Sequence, residues 1–169
     1  AWMNKGAALL ELMKSDEAIS CFDKVTELYP KSVEAWNEKG YVLNRLDRFE
    51  EAIFAFNTAI DLNPKSADAW NGKGMARDNS GKNDEAIQAY DRAITIRPKF
   101  AIAWSNKGVA LFGLLKYEGA LEAFNKAIEI NPREALFWHF KGEALKALNR
   151  SEESDAAFSK ARELGYKEE

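Results

Sequence analysis

The fold is decided by a stretch that runs from Trp36 to Pro64 and reads WNEKGYVLNRLDRFEEAIFAFNTAIDLNP. Trp36, Gly40 and Leu43 follow one another at spacings of four and three, which places them on one face of a helix. Glycine on that face lets a second helix approach closely, because any side chain there would hold the two helices apart. The first part of the stretch therefore predicts a helix with a tightly packed face.

A second helix is predicted after a turn near Asp47. Ala52, Phe56 and Ala59 recur at spacings of four and three and form one apolar stripe. This helix is expected to end before Pro64, because the residue before a proline is pushed out of helical geometry. The whole stretch predicts a helical hairpin, and a hairpin of this size cannot bury its apolar stripe alone.

The hairpin is repeated five times along the chain. Tryptophan returns every 34 residues (Trp2, Trp36, Trp70, Trp104, Trp138), and so do glycine (Gly6, Gly40, Gly74, Gly108, Gly142) and proline (Pro30, Pro64, Pro98, Pro132). A fixed period of this length is typical of arrays in which neighbouring units bury each other's apolar faces. We predict one all-α domain over residues 1–169, with repeats at approximately 1–32, 33–66, 67–100, 101–134 and 135–169.

Composition excludes several classes of function. The 169 residues carry a net charge of −3, without the basic surface of a nucleic-acid-binding protein or a basic amphipathic segment for membranes. The single cysteine, Cys21, stands where the other repeats have alanine, so we expect a small buried residue. With one histidine, no glycine-rich phosphate loop and no base for a serine nucleophile, the sequence predicts no metal, no cofactor and no enzyme activity. The compartment is not fixed by the sequence; the cytoplasm is our expectation.

The pattern W-x3-G-x2-L, then A-x3-F/Y-x2-A, then P, at a period of 34, resembles the tetratricopeptide repeat (TPR) family over the whole chain. The resemblance implies a right-handed superhelical solenoid of antiparallel helix pairs. It also implies a concave groove, lined by the first helix of each pair, that binds a peptide or protein segment. The chain would then act as a scaffold or adaptor.

Positions on the first helices are implied by the resemblance to line this groove. The candidates are Glu34, Asn37, Tyr41, Asp68, Asn71, Met75, Ile102, Asn106, Val109, Phe112 and His139. The groove positions of the second and third repeats are polar and partly acidic, whereas those of the fourth are apolar. We therefore expect a partner with a hydrophobic anchor near Phe112 and basic residues toward Glu34 and Asp68. The alternative is that Phe112 and Ile102 pack between neighbouring helices. His139 is expected to be solvated in the groove.

Departures from the repeat carry further expectations. Arg77 stands where the other repeats have leucine, which predicts looser packing in the third repeat. Ser154, Asp155 and Arg162 replace apolar residues in the fifth, so we expect residues 153–169 to act as a C-terminal cap. The first repeat has no such polar face. This leaves two alternatives open: a recruiting module of a larger enzyme, or self-association through the N-terminal face.

A lysine precedes every repeat glycine, at Lys5, Lys39, Lys73, Lys107 and Lys141. Such a ladder could follow an anionic polymer or an acidic peptide. The other interpretation is structural: each lysine lays its aliphatic stem beside the tryptophan and extends its amine to water or a carboxylate.

Overall fold

The computed structural model describes residues 2–12 and 14–167, and over these residues the chain forms ten helices in consecutive pairs. They are α1 (Trp2–Glu11), α2 (Ser15–Leu28), α3 (Val33–Arg45), α4 (Phe49–Leu62), α5 (Ala67–Asn79), α6 (Asn83–Ile96), α7 (Ala101–Gly113), α8 (Tyr117–Ile130), α9 (Ala135–Ala147) and α10 (Ser151–Glu163). The predicted all-α fold of helix pairs is confirmed. The chain divides into two compact units, the N-terminal unit Ala1–Ile96 and the C-terminal unit Arg97–Glu169.

Two helices begin at a serine cap. The Ser32 hydroxyl accepts a hydrogen bond from the Ala35 amide at 3.2 Å, and the Ser66 hydroxyl accepts one from the Ala69 amide at 3.3 Å. Each serine thereby satisfies one of the amides that a helix start leaves without an intrahelical acceptor. These caps fix where α3 and α5 begin.

The turn inside a helix pair needs a residue in the left-handed region. Asp47, Gly81 and Asn149 take φ values of 57°, 78° and 58°, in agreement with their tolerance of positive φ. Leu115 takes φ of 60° at the same place, although its side chain makes that conformation unfavourable. The corresponding residue of the first repeat, Met13, lies outside the described residues.

Each repeat glycine contacts an aromatic ring from the second helix of its own pair. In the N-terminal unit a Cβ atom on Gly6, Gly40 or Gly74 would come within 2.8 Å of Phe22, Phe56 or Tyr90, respectively. In the C-terminal unit Gly108 and Gly142 have the same relation to Phe124 and Phe158. The prediction that glycine permits close helix contact is therefore confirmed.

The tryptophans do not supply the main buried area of the helix pairs. The largest fully buried side chains include the second-helix aromatics Phe22, Phe56, Tyr90 and Phe124, whereas four of the five tryptophans are half-buried and Trp2 is exposed. Four indole N–H groups instead donate to the carbonyl of the proline six residues earlier, at 2.9–3.1 Å: Trp36 to Pro30, Trp70 to Pro64, Trp104 to Pro98 and Trp138 to Pro132. Each of these tryptophans thus fixes the loop that precedes its helix, which explains why tryptophan and proline recur together.

The lysine ladder has a packing role in this structure. The lysine three residues after each tryptophan places its Nζ 5.2–5.5 Å from the centre of that ring, in Lys5, Lys39, Lys73, Lys107 and Lys141. Lys39 also forms an ion pair with Asp23 at 2.6 Å. A cation over an aromatic face is attracted by the ring quadrupole. These contacts favour the structural interpretation of the ladder.

In the C-terminal unit the replacements in the fifth repeat differ in their effect. Ser154 is 3% exposed, and its hydroxyl donates to the Gly142 carbonyl at 2.9 Å. Its polar group is therefore directed into its own repeat and does not make the outer face polar. Asp155 and Arg162 are exposed, as the prediction of a polar face requires.

Candidate functional site

Four of the predicted groove residues line one recess in the N-terminal unit. Glu34, Asn37, Tyr41 and Asp68 surround an open volume of about 480 Å³, together with Val33, Glu38 and Ser66. We call this volume the acidic recess. It lies between α3 and the first turn of α5, and each of these helices begins at its serine cap.

Tyr41 gives the acidic recess a rigid wall. Its hydroxyl donates to the backbone carbonyl of Asp68 at 3.0 Å, which links α3 to the start of α5. Its ring meets Phe56 edge to face, with 5.1 Å between ring centres. Both contacts hold the ring in one orientation, so this wall is already formed without a partner.

The electrostatics of the acidic recess favour a cation. Burial raises the pKa of the Glu38 carboxyl above its ordinary value, and the neighbouring charge of Glu34 raises this pKa further. None of the described residues that line the recess is basic. The Asn37 Oδ1 atom is buried and has no hydrogen-bond partner in the described structure. The recess therefore presents acceptor groups whose negative charge is only partly compensated.

Two predicted groove residues of the third repeat lie elsewhere. Asn71 is 3% exposed, and its amide donates to the sulfur of Met75 at 3.5 Å. Neither residue lines the acidic recess. Asn71 is too deeply buried to offer its amide to a partner's backbone, so we do not include this pair in the proposed site.

A second recess lies in the C-terminal unit and is mainly apolar. Val109, Phe112 and His139 line about 290 Å³ together with Phe124, Phe140 and Glu143. We call this volume the apolar recess. Val109 is 36% exposed at its edge, whereas Phe112 is half-buried with its ring 5.1 Å from Tyr117. Phe112 thus combines the two roles considered for it, because it packs against α8 and still faces the recess.

The other apolar-zone candidates do not line this recess. Ile102 is 55% exposed, which is not the burial expected of a side chain packed between helices. Asn106 is half-buried on the same helix. Both stay candidate groove residues, outside the apolar recess.

His139 is not solvated as expected. Its ring stacks on Tyr166 at 4.1 Å between centres and 17° between planes, and it also approaches Phe140 and Phe158. Its Nδ1 atom is buried without a hydrogen-bond partner in the described structure. The histidine is therefore part of an aromatic cluster that forms one side of the apolar recess.

Comparison with known families decides the classification. One family model described as tetratricopeptide repeat matches residues 3–67 and 45–101, and a second with the same description matches residues 101–134. The chain belongs to the tetratricopeptide repeat family. Comparison with curated protein sequences gives no significant match.

Solved TPR structures share this fold over nearly the whole chain. A crystal structure of MamA superposes with a TM-score of 0.81 at 26% identity and covers 94% of this chain and 93% of its own. PilF of Pseudomonas aeruginosa gives a TM-score of 0.88 at 18% identity, over 99% of this chain and 76% of its own. YrrB, described as a TPR protein with an unusual peptide-binding site, gives 0.72 at 20% identity, over 97% and 84%. Family and fold together support a protein-interaction scaffold in general, and TPR repeats are generally non-catalytic.

Some lining residues of this TPR protein could not be found from the first-helix positions. Phe124 lies on the second helix of its repeat, where the periodicity predicts only core. Val33 and Ser66 belong to helix starts, where the sequence signals only a boundary. The available signal was the largely apolar first helix of the fourth repeat, in which Lys107 is the one charged residue, and this signal pointed to the right region without identifying the residues.

Over residues 2–12 and 14–167, no group of three or more histidine, cysteine, aspartate or glutamate side chains is placed to hold a metal ion. No helix in that part of the chain has the length and apolar character needed to cross a bilayer.

Proposed function

We propose that this TPR protein binds segments of a partner protein through two separate contacts. The apolar recess takes a large hydrophobic side chain, and the acidic recess takes a lysine or arginine side chain. The observation that carries the proposal is the apolar recess, an open concave surface with three phenylalanine rings in its lining.

The apolar recess has the composition of an anchor site. Its lining is hydrophobic and aromatic apart from His139 and Glu143, and side chains buried in such pockets supply most of the binding energy at protein interfaces. Phe124 and Phe140 lie 5.5 Å apart between ring centres at 28°, and form a flat, stacked wall. Glu143 adds one negative charge, so a hydrophobic anchor next to a basic residue would match the recess better than one next to an acidic residue.

The acidic recess is suited to a basic side chain. Glu34, Glu38 and Asp68 surround it, and the raised pKa of Glu38 shows a carboxylate disfavoured by its surroundings. A bound ammonium or guanidinium group would remove that disadvantage through charge-assisted hydrogen bonds to the carboxylates. Binding of a basic peptide should therefore lower the pKa of Glu38.

The apolar contact is tested with a fluorescein-labelled peptide that carries one phenylalanine among lysines. Val109→Glu places a charge at the edge of the recess on a side chain that is 36% exposed, so the fold should be retained. We expect at least about tenfold weaker binding, the effect of losing a buried anchor. Ile102→Glu is the matched control, because it makes the same kind of change on an exposed residue of the same helix outside the recess. Equal loss in both variants would move the contact away from the apolar recess.

The acidic contact is tested with the same peptide and with a version that has norleucine for lysine. Glu34→Gln removes one charge from an exposed position of the recess, and Glu50→Gln removes one from an exposed position on α4. We expect Glu34→Gln alone to weaken binding of the lysine peptide and to leave the norleucine peptide unchanged. Identical behaviour of the two variants would show that net charge, and not the recess, attracts the peptide.

A further inference from the structure

A third recess lies between α5 and α6, within the third repeat. It has a volume of about 530 Å³ and is lined by Trp70, Lys73, Arg77, Glu85, Gln88, Ala89, Asp91 and Arg92. We call it the basic recess. It shares no residue with the acidic recess or with the apolar recess.

The basic recess follows from the substitution that the sequence marked as a departure. In the preceding repeat the equivalent residue, Leu43, is 1% exposed and belongs to the hydrophobic core. Arg77 cannot replace it there, because a guanidinium needs polar partners. Its Nε atom lies 3.2 Å from a carboxylate oxygen of Glu85 instead, and its side chain lines the recess.

The lining has an excess of positive charge. It contains three cations, Lys73, Arg77 and Arg92, against two carboxylates, Glu85 and Asp91. Lys73 and Arg77 are half-buried, whereas both carboxylates are exposed at the rim. An ion pair with a partner as exposed as Glu85 is weak, since water screens it. The positive charge inside the recess is therefore poorly compensated.

The surroundings of the Lys73 ammonium group disfavour its charged form. Burial lowers the pKa of its ammonium group, and the charge of Arg77 lowers this pKa further, in opposition to Glu85 and Asp61. The Lys73 amine lies 5.2 Å from the centre of the Trp70 ring, and the Arg92 guanidinium lies 5.8 Å from it. An apolar ring with two cations beside it can hold both the stem and the charged end of an acidic side chain.

We propose that the basic recess is a binding site for a carboxylate of a partner peptide, an aspartate or glutamate side chain. One carboxylate would neutralise the excess of one positive charge in the lining. Arg77 would bind it through charge-assisted hydrogen bonds, with Lys73 and Arg92 beside it and the stem against Trp70. A doubly charged phosphate would leave the lining with an excess of negative charge, so the carboxylate is the better match.

The test uses a short peptide of alternating glutamate and alanine and a matched peptide of alternating glutamine and alanine. Binding is followed by fluorescence anisotropy and by the indole N–H resonance of Trp70, which is identified by its loss in Trp70→Phe. We expect the glutamate peptide to bind, to shift this resonance and to weaken as salt is raised. The glutamine peptide should do none of these, and inorganic phosphate should compete poorly.

Arg77→Leu restores the residue of the other four repeats, so this variant should fold, and circular dichroism verifies that it does. We expect it to bind the glutamate peptide at least about tenfold more weakly. Arg92→Thr, which restores the residue of the second repeat at an exposed position, should weaken binding too and tests the site if Arg77→Leu fails to fold. Glu34→Gln and Val109→Glu should leave this binding unchanged, which separates it from the proposed function. Equal binding by Arg77→Leu, or no shift at Trp70, would overturn the proposal.

Discussion

Gly72→Ala is a substitution for which local propensity and packing predict opposite results. Alanine in place of glycine inside a helix is worth about 1 kcal/mol in favour of the folded state. Gly72 lies inside α5, however, against the ring of Phe56, which belongs to α4 and is fully buried. The sign of the measured change therefore shows which of the two effects dominates.

The structure allows the packing cost to be worked out. A Cβ on Gly72 would lie 2.8 Å from Phe56 Cδ1 and nearer still to Cε1 and Cζ. Carbon atoms pack at about 3.5–4.0 Å, so the ring would have to move by roughly 1 Å. It cannot do so freely, because Gly40 of α3 contacts the same ring from its own repeat. Overpacking of this kind costs about 1–3 kcal/mol, which leaves a net loss of up to about 2 kcal/mol after the gain in helix propensity.

Urea denaturation followed by circular dichroism and tryptophan fluorescence measures this change. Gly119→Ala is the control, because Gly119 also lies in a helix but its Cβ would be 3.5 Å from Leu111, an ordinary contact. This variant should be as stable as wild type or more stable. Phe56→Leu should recover part of the loss in the Gly72→Ala background, since it removes the atoms that collide. Stabilisation by Gly72→Ala, or no coupling to Phe56, would refute the packing argument.

Three further predictions follow from single contacts. Glu38→Gln should stabilise the protein at pH 7, because the raised pKa of Glu38 means that its ionised form is disfavoured in the folded state. The difference from wild type should shrink as the pH falls through the raised pKa of Glu38 toward the ordinary value of 4.5, and a difference that grows toward low pH would contradict the assignment. Leu115→Asn should raise the free energy of unfolding in urea by about 0.5–1 kcal/mol. Leu115 has φ of 60° with a side chain that is 69% exposed, and Asn149 shows that asparagine accepts this turn. A loss of stability would mean that the leucine makes a contact worth more than its strain. Tyr41→Phe should cost about 0.5–1.5 kcal/mol, because it removes the hydrogen bond to the Asp68 carbonyl; unchanged stability would mean that water replaces the hydroxyl without loss.

The helix pairs could be predicted because each requirement recurs at the same place in the repeat. Gly40 needs an aromatic ring opposite it, and Phe56 supplies that ring sixteen residues later in the second helix. Helical periodicity reveals such residues directly, since both lie on apolar stripes. The contact of Gly72 with Phe56 lies between repeats, and the equivalent positions hold Glu38 and Asn106. In the C-terminal unit the same two positions hold Phe140 and Phe124, whose rings stack. A pattern built on recurrence does not show a contact at a position whose residue changes from repeat to repeat.

The candidate site was harder to predict, because first-helix positions do not determine which side chains reach a surface. Asn71 has the same position in its repeat as Asn37, yet Asn71 is 3% exposed while Asn37 lines the acidic recess. The apolar recess also needs Phe124 from a second helix. Position in the repeat fixes the helix face, and the size of the neighbouring side chains decides what remains open on it.

Residues that recur in every repeat and residues that differ between repeats have different roles in this chain. The tryptophan, its lysine and the proline make the same contacts in repeat after repeat, as Trp36 with Pro30 and Lys39 shows, so their recurrence is explained by structure. A partner-specific surface needs residues that differ between repeats, because an identical surface on every repeat could not fix the register of a bound segment. Arg77 and Phe112 are such residues, and each lines a recess. In this TPR chain, therefore, the departures from the repeat are the positions at which specificity for a partner should be sought.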